Sequence, residues 1–142
     1  MTTLIAGISG GIGLAMARHE LDRRPDTPVI GLSRRASESD GALQLQASHP
    51  EPVTLIDADV SDREHLETAL KDHLDPDTRI QQIIYAIGIL HGPELFPEKR
   101  LEDIQPEAMM RSYATNTLGF LVLVQSLIPW LKHREPKLIA AI

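Results

Sequence analysis

The stretch Ala6-Gly7-Ile8-Ser9-Gly10-Gly11-Ile12-Gly13 decides how the rest of the chain is read. Four of the seven residues from Gly7 to Gly13 are glycine. They follow a short apolar run, Leu4 to Ala6, and lead into a helical pattern from Ile12 to Arg23. One glycine usually suffices for a strand-to-helix turn, so four imply that something approaches this backbone closely. The spacing G-x-x-x-G-x-G (Gly7, Gly11, Gly13) is not a P-loop, because no Gly-Lys-Ser/Thr follows. Nor is it G-x-G-x-x-G, since Ser9 and Met16 fall at the wrong places. The physical role is similar all the same. Glycines admit a pyrophosphate to the backbone, and the next helix offers free N–H groups and the positive end of its dipole.

Working outward, strands and helices alternate. Thr2 to Ile8 reads as the first strand, and Pro25 and Pro28 bracket the turn after the first helix. Val29 to Leu32 is the second strand, Ser33 to Pro52 a polar loop with at most one short helical turn, and Val53 to Ile56 the third strand. Ser61 with Glu64 three residues on has the form of a capping box, opening a helix that runs to Leu74 and is closed by Pro76. Ile80 to Ala86, with the β-branched Ile80, Ile83 and Ile84, reads as the fourth strand, buried on both faces. A loop with Gly88, Gly92, Pro93 and Pro97 follows. Pro106 opens a long helix carrying Tyr113 and Asn116 and ending near His133, and Lys137 to Ile142 is the fifth strand. Short strands separated by helices predict a doubly wound parallel α/β sheet with right-handed crossovers. Ligands of such folds bind at the carboxyl ends of the strands, where Gly7 to Gly13 lies.

Composition narrows the function. The 142 residues suit one domain with a real core, at 42% apolar and 24% charged. A net charge of −6 argues against a nucleic-acid partner, which requires a basic face. With no cysteine, a disulfide framework, a thiolate nucleophile and a cysteine zinc site are excluded, which suits a cytoplasmic protein. Leu4 to Ala17 ends in Ala-Met-Ala, but no Lys or Arg precedes it and five glycine and serine positions interrupt it, so it is not read as a signal peptide. Leu118 to Leu131 is too short to span a bilayer and contains Gln125, Ser126 and Pro129, so no membrane role is expected. The histidines (His19, His49, His65, His73, His91 and His133) have no metal-ligand spacing, and His91 alone lies near the expected ligand mouth. A cation site of Asp57, Asp59 and Asp62 lacks the glycine and distal glutamate of a calcium loop, and no metal is expected.

Ala6 to Gly13 resembles the Thr-Gly-x-x-x-Gly-Ile-Gly fingerprint of short-chain dehydrogenases/reductases, with Ala6 in place of threonine. Further landmarks follow in order. Ser33-Arg34-Arg35 stands after strand 2, where family members that prefer NAD carry an acidic residue. Two guanidiniums there suit a 2′-phosphate and imply NADP(H); a solvated basic loop is the alternative. Asp59-Val60 matches the pair that lies beside adenine. Tyr85-Ala86-Ile87-Gly88 occupies the place of Asn-Asn-Ala-Gly and departs from it at all but the glycine. Asn116, in Tyr113-Ala-Thr-Asn-Thr-Leu-Gly119, matches the asparagine that holds a water in the family's proton relay; a purely structural asparagine is the alternative. Gly88-Ile89-Leu90-His91-Gly92-Pro93, with Pro97-Glu98-Lys99-Arg100-Leu101, is similar to the C-factor-like subgroup.

The resemblance implies a Rossmann-type sheet of strand order 3-2-1-4-5. It implies a cofactor site of Gly7, Ser9, Gly10, Gly11, Ile12, Gly13, Ser33, Arg34, Arg35, Asp59, Val60, Ala86, Ile87 and Gly88, with Asn116 as the catalytic contribution. It implies hydride transfer between NADP(H) and a small carbonyl or alcohol substrate, and a homo-oligomer through the helix of Asn116; the face of Leu118, Leu121, Val122 and Gln125 fits such a seam and equally a helix lying on the sheet. The family's Tyr-x-x-x-Lys is not found, since Tyr85 is followed by Ile89 and Tyr113 by Thr117 at that spacing. We therefore expect the cofactor-binding half of a longer enzyme, cut after strand 5. A non-catalytic NADP(H)-binding or signalling module is the alternative, and a flavodoxin-like interaction domain a more distant one.

Overall fold

In the computed structural model, which describes residues 1–89 and 99–142, five strands form one parallel sheet. They are β1 (Thr2–Ala6), β2 (Val29–Ser33), β3 (Val53–Asp57), β4 (Ile80–Tyr85) and β5 (Leu138–Ala141), in the order 3-2-1-4-5. The helices are α1 (Gly11–Arg23), α2 (Asp40–Ser48), α3 (Arg63–His73), α4 (Pro106–Tyr113), α5 (Gly119–Ser126) and α6 (Ile128–Leu131).

Strand side chains alternate between faces, and the buried residues divide accordingly. Leu4 and Ala6 of β1, Ile30 and Leu32 of β2, and Ile83 and Tyr85 of β4 pack with Leu66 and Leu70 of α3, Leu123 of α5 and Trp130 of α6. Ile5, Val29 and Ile84 face the other way, onto Ala17 and Leu21 of α1 and Ala42 and Leu45 of α2. The sheet therefore has a helical layer on each side, which is why apolar residues point to both faces of its central strands. From β1 the chain winds outward to β3, then returns past β1 to β4. The reversal opens a crevice at the carboxyl ends of β1 and β4.

Several boundaries differ from the sequence reading. The loop expected over 33–52 contains a 3₁₀ turn, Ala36–Glu38, and all nine residues of α2. The Ser39 hydroxyl caps α2 by accepting from the Ala42 N–H at 3.4 Å. The N-cap of α3 is Asp62, not Ser61: its carboxylate accepts from the His65 N–H at 3.1 Å. Ser61 is held by Asp59 instead, whose Oδ1 accepts from its amide at 2.9 Å and its hydroxyl at 2.7 Å. Strand β1 ends at Ala6 rather than Ile8, β4 at Tyr85 rather than Ala86, and β5 is confined to 138–141.

The helix expected from Pro106 to His133 is not continuous. A π turn, Ala114–Leu118, separates α4 from α5, and α5 stops at Ser126. Pro129 explains the second break, since it has no N–H to offer Gln125 and its ring would press on that carbonyl. Among the described residues no helix is long and apolar enough to cross a membrane.

Candidate functional site

The residues singled out from sequence come together along the carboxyl edge of the sheet. The loop after β1 is tied to both neighbouring strands. The Gly7 N–H donates to the Leu32 carbonyl at 2.7 Å, and the Ala86 N–H donates to the Ala6 carbonyl at 2.8 Å. Gly7 has φ +98°, and a Cβ there would lie 2.7 Å from the Ala86 oxygen. At Gly13 a Cβ would lie 2.2 Å from the Gly7 oxygen, so this glycine lets α1 press onto the loop. Gly11 has φ +55° and open space above it.

Gly10 is different. Its backbone is extended, a conformation open to any residue, and no atom lies within 4 Å of where its Cβ would be. Nothing inside the described chain requires a glycine at this position. Ser9 is exposed beside it, and Ile12 is 57% exposed at the start of α1.

The β2 end supplies Ser33, Arg34 and Arg35. Ser33 is buried, and its hydroxyl has no hydrogen-bond partner among the described residues. Both arginines are exposed. Arg35 pairs loosely with Glu38 at 3.8 Å between two solvated side chains, a contact of little energetic weight. The Arg34 charge acts on Asp59, which follows the neighbouring strand β3. Burial pushes the Asp59 carboxyl up, but hydrogen bonds from Ser61 and the Arg34 charge outweigh that and hold it below the ordinary value of 3.8. Val60 is buried at 4% exposed, with its Cγ2 directed at Gly119, so only its backbone is left to face the crevice.

After β4, Ala86 and Ile87 are half-buried and Gly88 is exposed. Asn116 sits on the π turn and reaches across to this segment. Its Oδ1 accepts from the Ile89 N–H at 2.8 Å, and its Nδ2 donates to the Ile89 carbonyl at 2.9 Å and to the Ser112 hydroxyl at 3.1 Å. The side-chain amide thus pairs with the loop backbone as a neighbouring strand would.

His91 lies outside the described residues, as do Gly92, Pro93 and Pro97 of that loop. The carboxylates of Asp57, Asp59 and Asp62 do not converge. They bind Ser37, Ser61 and the α3 N-terminus separately.

Two contacts were not foreseen from sequence. The Ser39 hydroxyl donates to the Ser9 carbonyl at 2.9 Å, strapping the glycine loop to the start of α2. The Asp57 carboxylate accepts from the Ser37 amide at 2.9 Å and also from its hydroxyl, fixing the segment just past Arg34 and Arg35. A serine ahead of the apolar pair Ala42 and Leu45 was the available signal for the first.

This geometry agrees with what the chain is similar to. The short chain dehydrogenase family matches residues 1–142. The 3-keto-steroid reductase/17-beta-hydroxysteroid dehydrogenase 7 of Homo sapiens is 26% identical over 93% of this chain and 46% of its own length. A type I phenolphthiocerol synthesis polyketide synthase of Mycobacterium marinum is 33% identical over 63% of this chain, which is 4% of that protein. Among solved structures, a carbonyl reductase from Pseudomonas aeruginosa superposes with a TM-score of 0.82 at 26% identity, covering 99% of this chain and 59% of that one. The chain thus spans about half the length of the reductases it matches. With its fingerprint loop at the end of β1 and a family match along its whole length, the chain belongs to the short-chain dehydrogenases.

Proposed function

We propose that these residues form the cofactor-binding half of an NADP-dependent oxidoreductase acting on a small carbonyl or alcohol. The observation that carries the reading is the glycine loop. Gly7 and Gly13 answer to contacts within the chain, whereas Gly10 and Gly11 leave open space at the carboxyl end of β1. A pyrophosphate there would meet bare backbone and the N-terminus of α1. The exposed Arg34 and Arg35, with no acidic residue adjoining them in sequence at the end of β2, fit an adenosine ribose bearing a 2′-phosphate, and the Ser33 backbone lies next to them.

Within this reading, Gly7, Ser9, Gly10, Gly11, Ile12 and Gly13 shape the pyrophosphate cradle, and Asp59 with the Val60 backbone borders adenine. Ala86, Ile87 and Gly88 border the nicotinamide ribose. Asn116 keeps that border in place through Ile89 and leaves the second lone pair of its Oδ1 for the water of a proton relay. The bound nicotinamide supplies a hydride donor or acceptor. Carbonyl chemistry is favoured because two reductases are among the proteins that the chain resembles. A second copy would dock on the outer face of α4, the π turn and α5. Met109, Met110, Tyr113, Leu118 and Leu121 are the exposed large apolar residues there, Gln125 is exposed and accepts from Arg63, and Val122 packs inward.

Calorimetric titration with NADPH and NADH tests the proposal. Wild-type protein is expected to favour NADPH, and Arg34→Asp to weaken NADPH by about tenfold or more with little change for NADH, as loss of a charge-assisted phosphate contact requires. Equal loss for both ligands, or none, would sink the 2′-phosphate assignment.

A further inference from the structure

Tyr85 takes the place of the first asparagine of the family's Asn-Asn-Ala-Gly, and nothing above gives it a task. It is 1% exposed, and its ring meets Phe120 edge-on, with centroids 5.5 Å apart and planes at 65°. Its hydroxyl donates to the Thr115 carbonyl. The π turn takes one backbone donor away from that carbonyl. In a continuous α-helix it would accept from the Gly119 N–H. In the π turn the Gly119 N–H donates one residue further back, to Ala114. Gly119 also makes room for the phenol, since a Cβ there would lie 2.5 Å from the Tyr85 oxygen. Burial and the nearby Asp59 carboxylate push the phenol up to about 12, so it remains a donor throughout the working pH range.

The residue after Thr115 is Asn116, which holds both backbone groups of Ile89. Tyr85 and Ile89 therefore begin and end one short segment, and consecutive residues of one π turn grip its two ends. We infer that the Tyr85 hydroxyl is a positioning group: by capping Thr115 it keeps the π turn open, and the open turn sets Asn116 against Ile89 and so fixes the loop that borders the nicotinamide. This rests on the functional reading above. Without the hydroxyl, the Thr115 carbonyl regains a protein partner when the Gly119 N–H returns to it, as in an ordinary α-helix. That change removes the extra residue from the turn and rotates Asn116 away by about 100°, one residue's step around a helix.

The experiment is Tyr85→Phe in the full-length protein, which retains the buried ring. Titration with 2′,5′-ADP reads the adenosine half of the site, and titration with NADPH reads the whole. Hydrogen exchange at the Ile89 amide reads the turn itself. Expected are 2′,5′-ADP affinity unchanged, NADPH affinity lower by about tenfold as befits the loss of one ordered contact at the nicotinamide end, and loss of Ile89 protection. Asn116→Ala should give the same pattern, and the double variant should be no worse than either single one, because both break one linkage. Unchanged NADPH affinity with Ile89 still protected, equal weakening of both ligands, or additive effects in the double variant would each overturn the inference. Wild-type protein that binds neither ligand would refute the functional reading instead, and Ile89 protection in Tyr85→Phe would then decide the positioning role by itself.

Discussion

At the scale of single residues, the four glycines of the opening loop do different work, and substitution separates them. Gly13→Ala drives a Cβ to 2.2 Å from the Gly7 oxygen, backbone against backbone, with no flexible side chain to yield. The expected loss is about 3 kcal/mol or more, at the upper end of overpacking effects. Gly10→Ala meets nothing and needs no unusual φ, so thermal stability should hold to within about 0.5 kcal/mol. If the open space is kept for a pyrophosphate, NADPH binding by Gly10→Ala should nonetheless weaken by about tenfold, the reach of one lost or strained phosphate contact. Paired thermal melts and titrations check both. A Gly10→Ala protein with unaltered NADPH affinity would leave that glycine unexplained. The sequence pattern alone counted four glycines for one purpose. It could not separate them, because which neighbour each one meets depends on Ala86 and on the descent of α1, and both are tertiary facts.

At the scale of elements, the carboxyl edge is organised by short polar side chains that a sequence scan passes over. Ser39 strapped to Ser9 and Asp57 clamping Ser37 join β3, the 3₁₀ turn, α2 and the glycine loop into one edge. The clamp has a pH signature. Burial raises the Asp57 carboxyl, but hydrogen bonds from Ser37 and Ala36 and the His73 charge together outweigh it and bring it below the ordinary 3.8. A carboxyl depressed by folding lends stability that is complete above pH about 4 and disappears as the pH falls through its lower folded value. Asp57→Asn should therefore flatten the acid limb of a pH–stability curve below that point. Denaturant melts between pH 2 and 6 check this, and an acid limb identical to wild type would remove the clamp from the argument.

The same scale shows where legibility ended. The strands and α1 and α3 were plain from β-branched runs and 3.6-residue spacing. Helix α2 was not, because only Ala42 and Leu45 of its nine residues are buried, too few to draw an apolar stripe. The π turn was not, because its stabilising contact comes from Tyr85, 30 residues away. Ser61 and Asp62 are both good N-caps, and sequence offered no means of choosing until Asp59 claimed the serine.

At the scale of the whole molecule, the outward-facing apolar surfaces among the described residues include two suited to a second copy. One is the β5 edge, where Leu138 is 57% exposed and Ile139 41%. The other is the face of α4, the π turn and α5, where Met110 is 64%, Tyr113 50% and Leu121 50% exposed. The first offers unpaired backbone groups as well as apolar side chains, a template for strand addition. The second offers only side chains, as a helix-to-helix seam would. Residues 1–142 on their own should self-associate, and sedimentation velocity over a concentration series distinguishes the surfaces. Leu138→Lys should disperse the species if the sheet edge drives association, since a charge on an edge strand blocks pairing. Leu121→Lys should disperse it if the helical face does. The proposed pairing through the helices requires the second outcome in the full-length protein. Dispersal by Leu138→Lys alone would make association a property of the bare sheet edge and withdraw the helical seam as the site of a second copy.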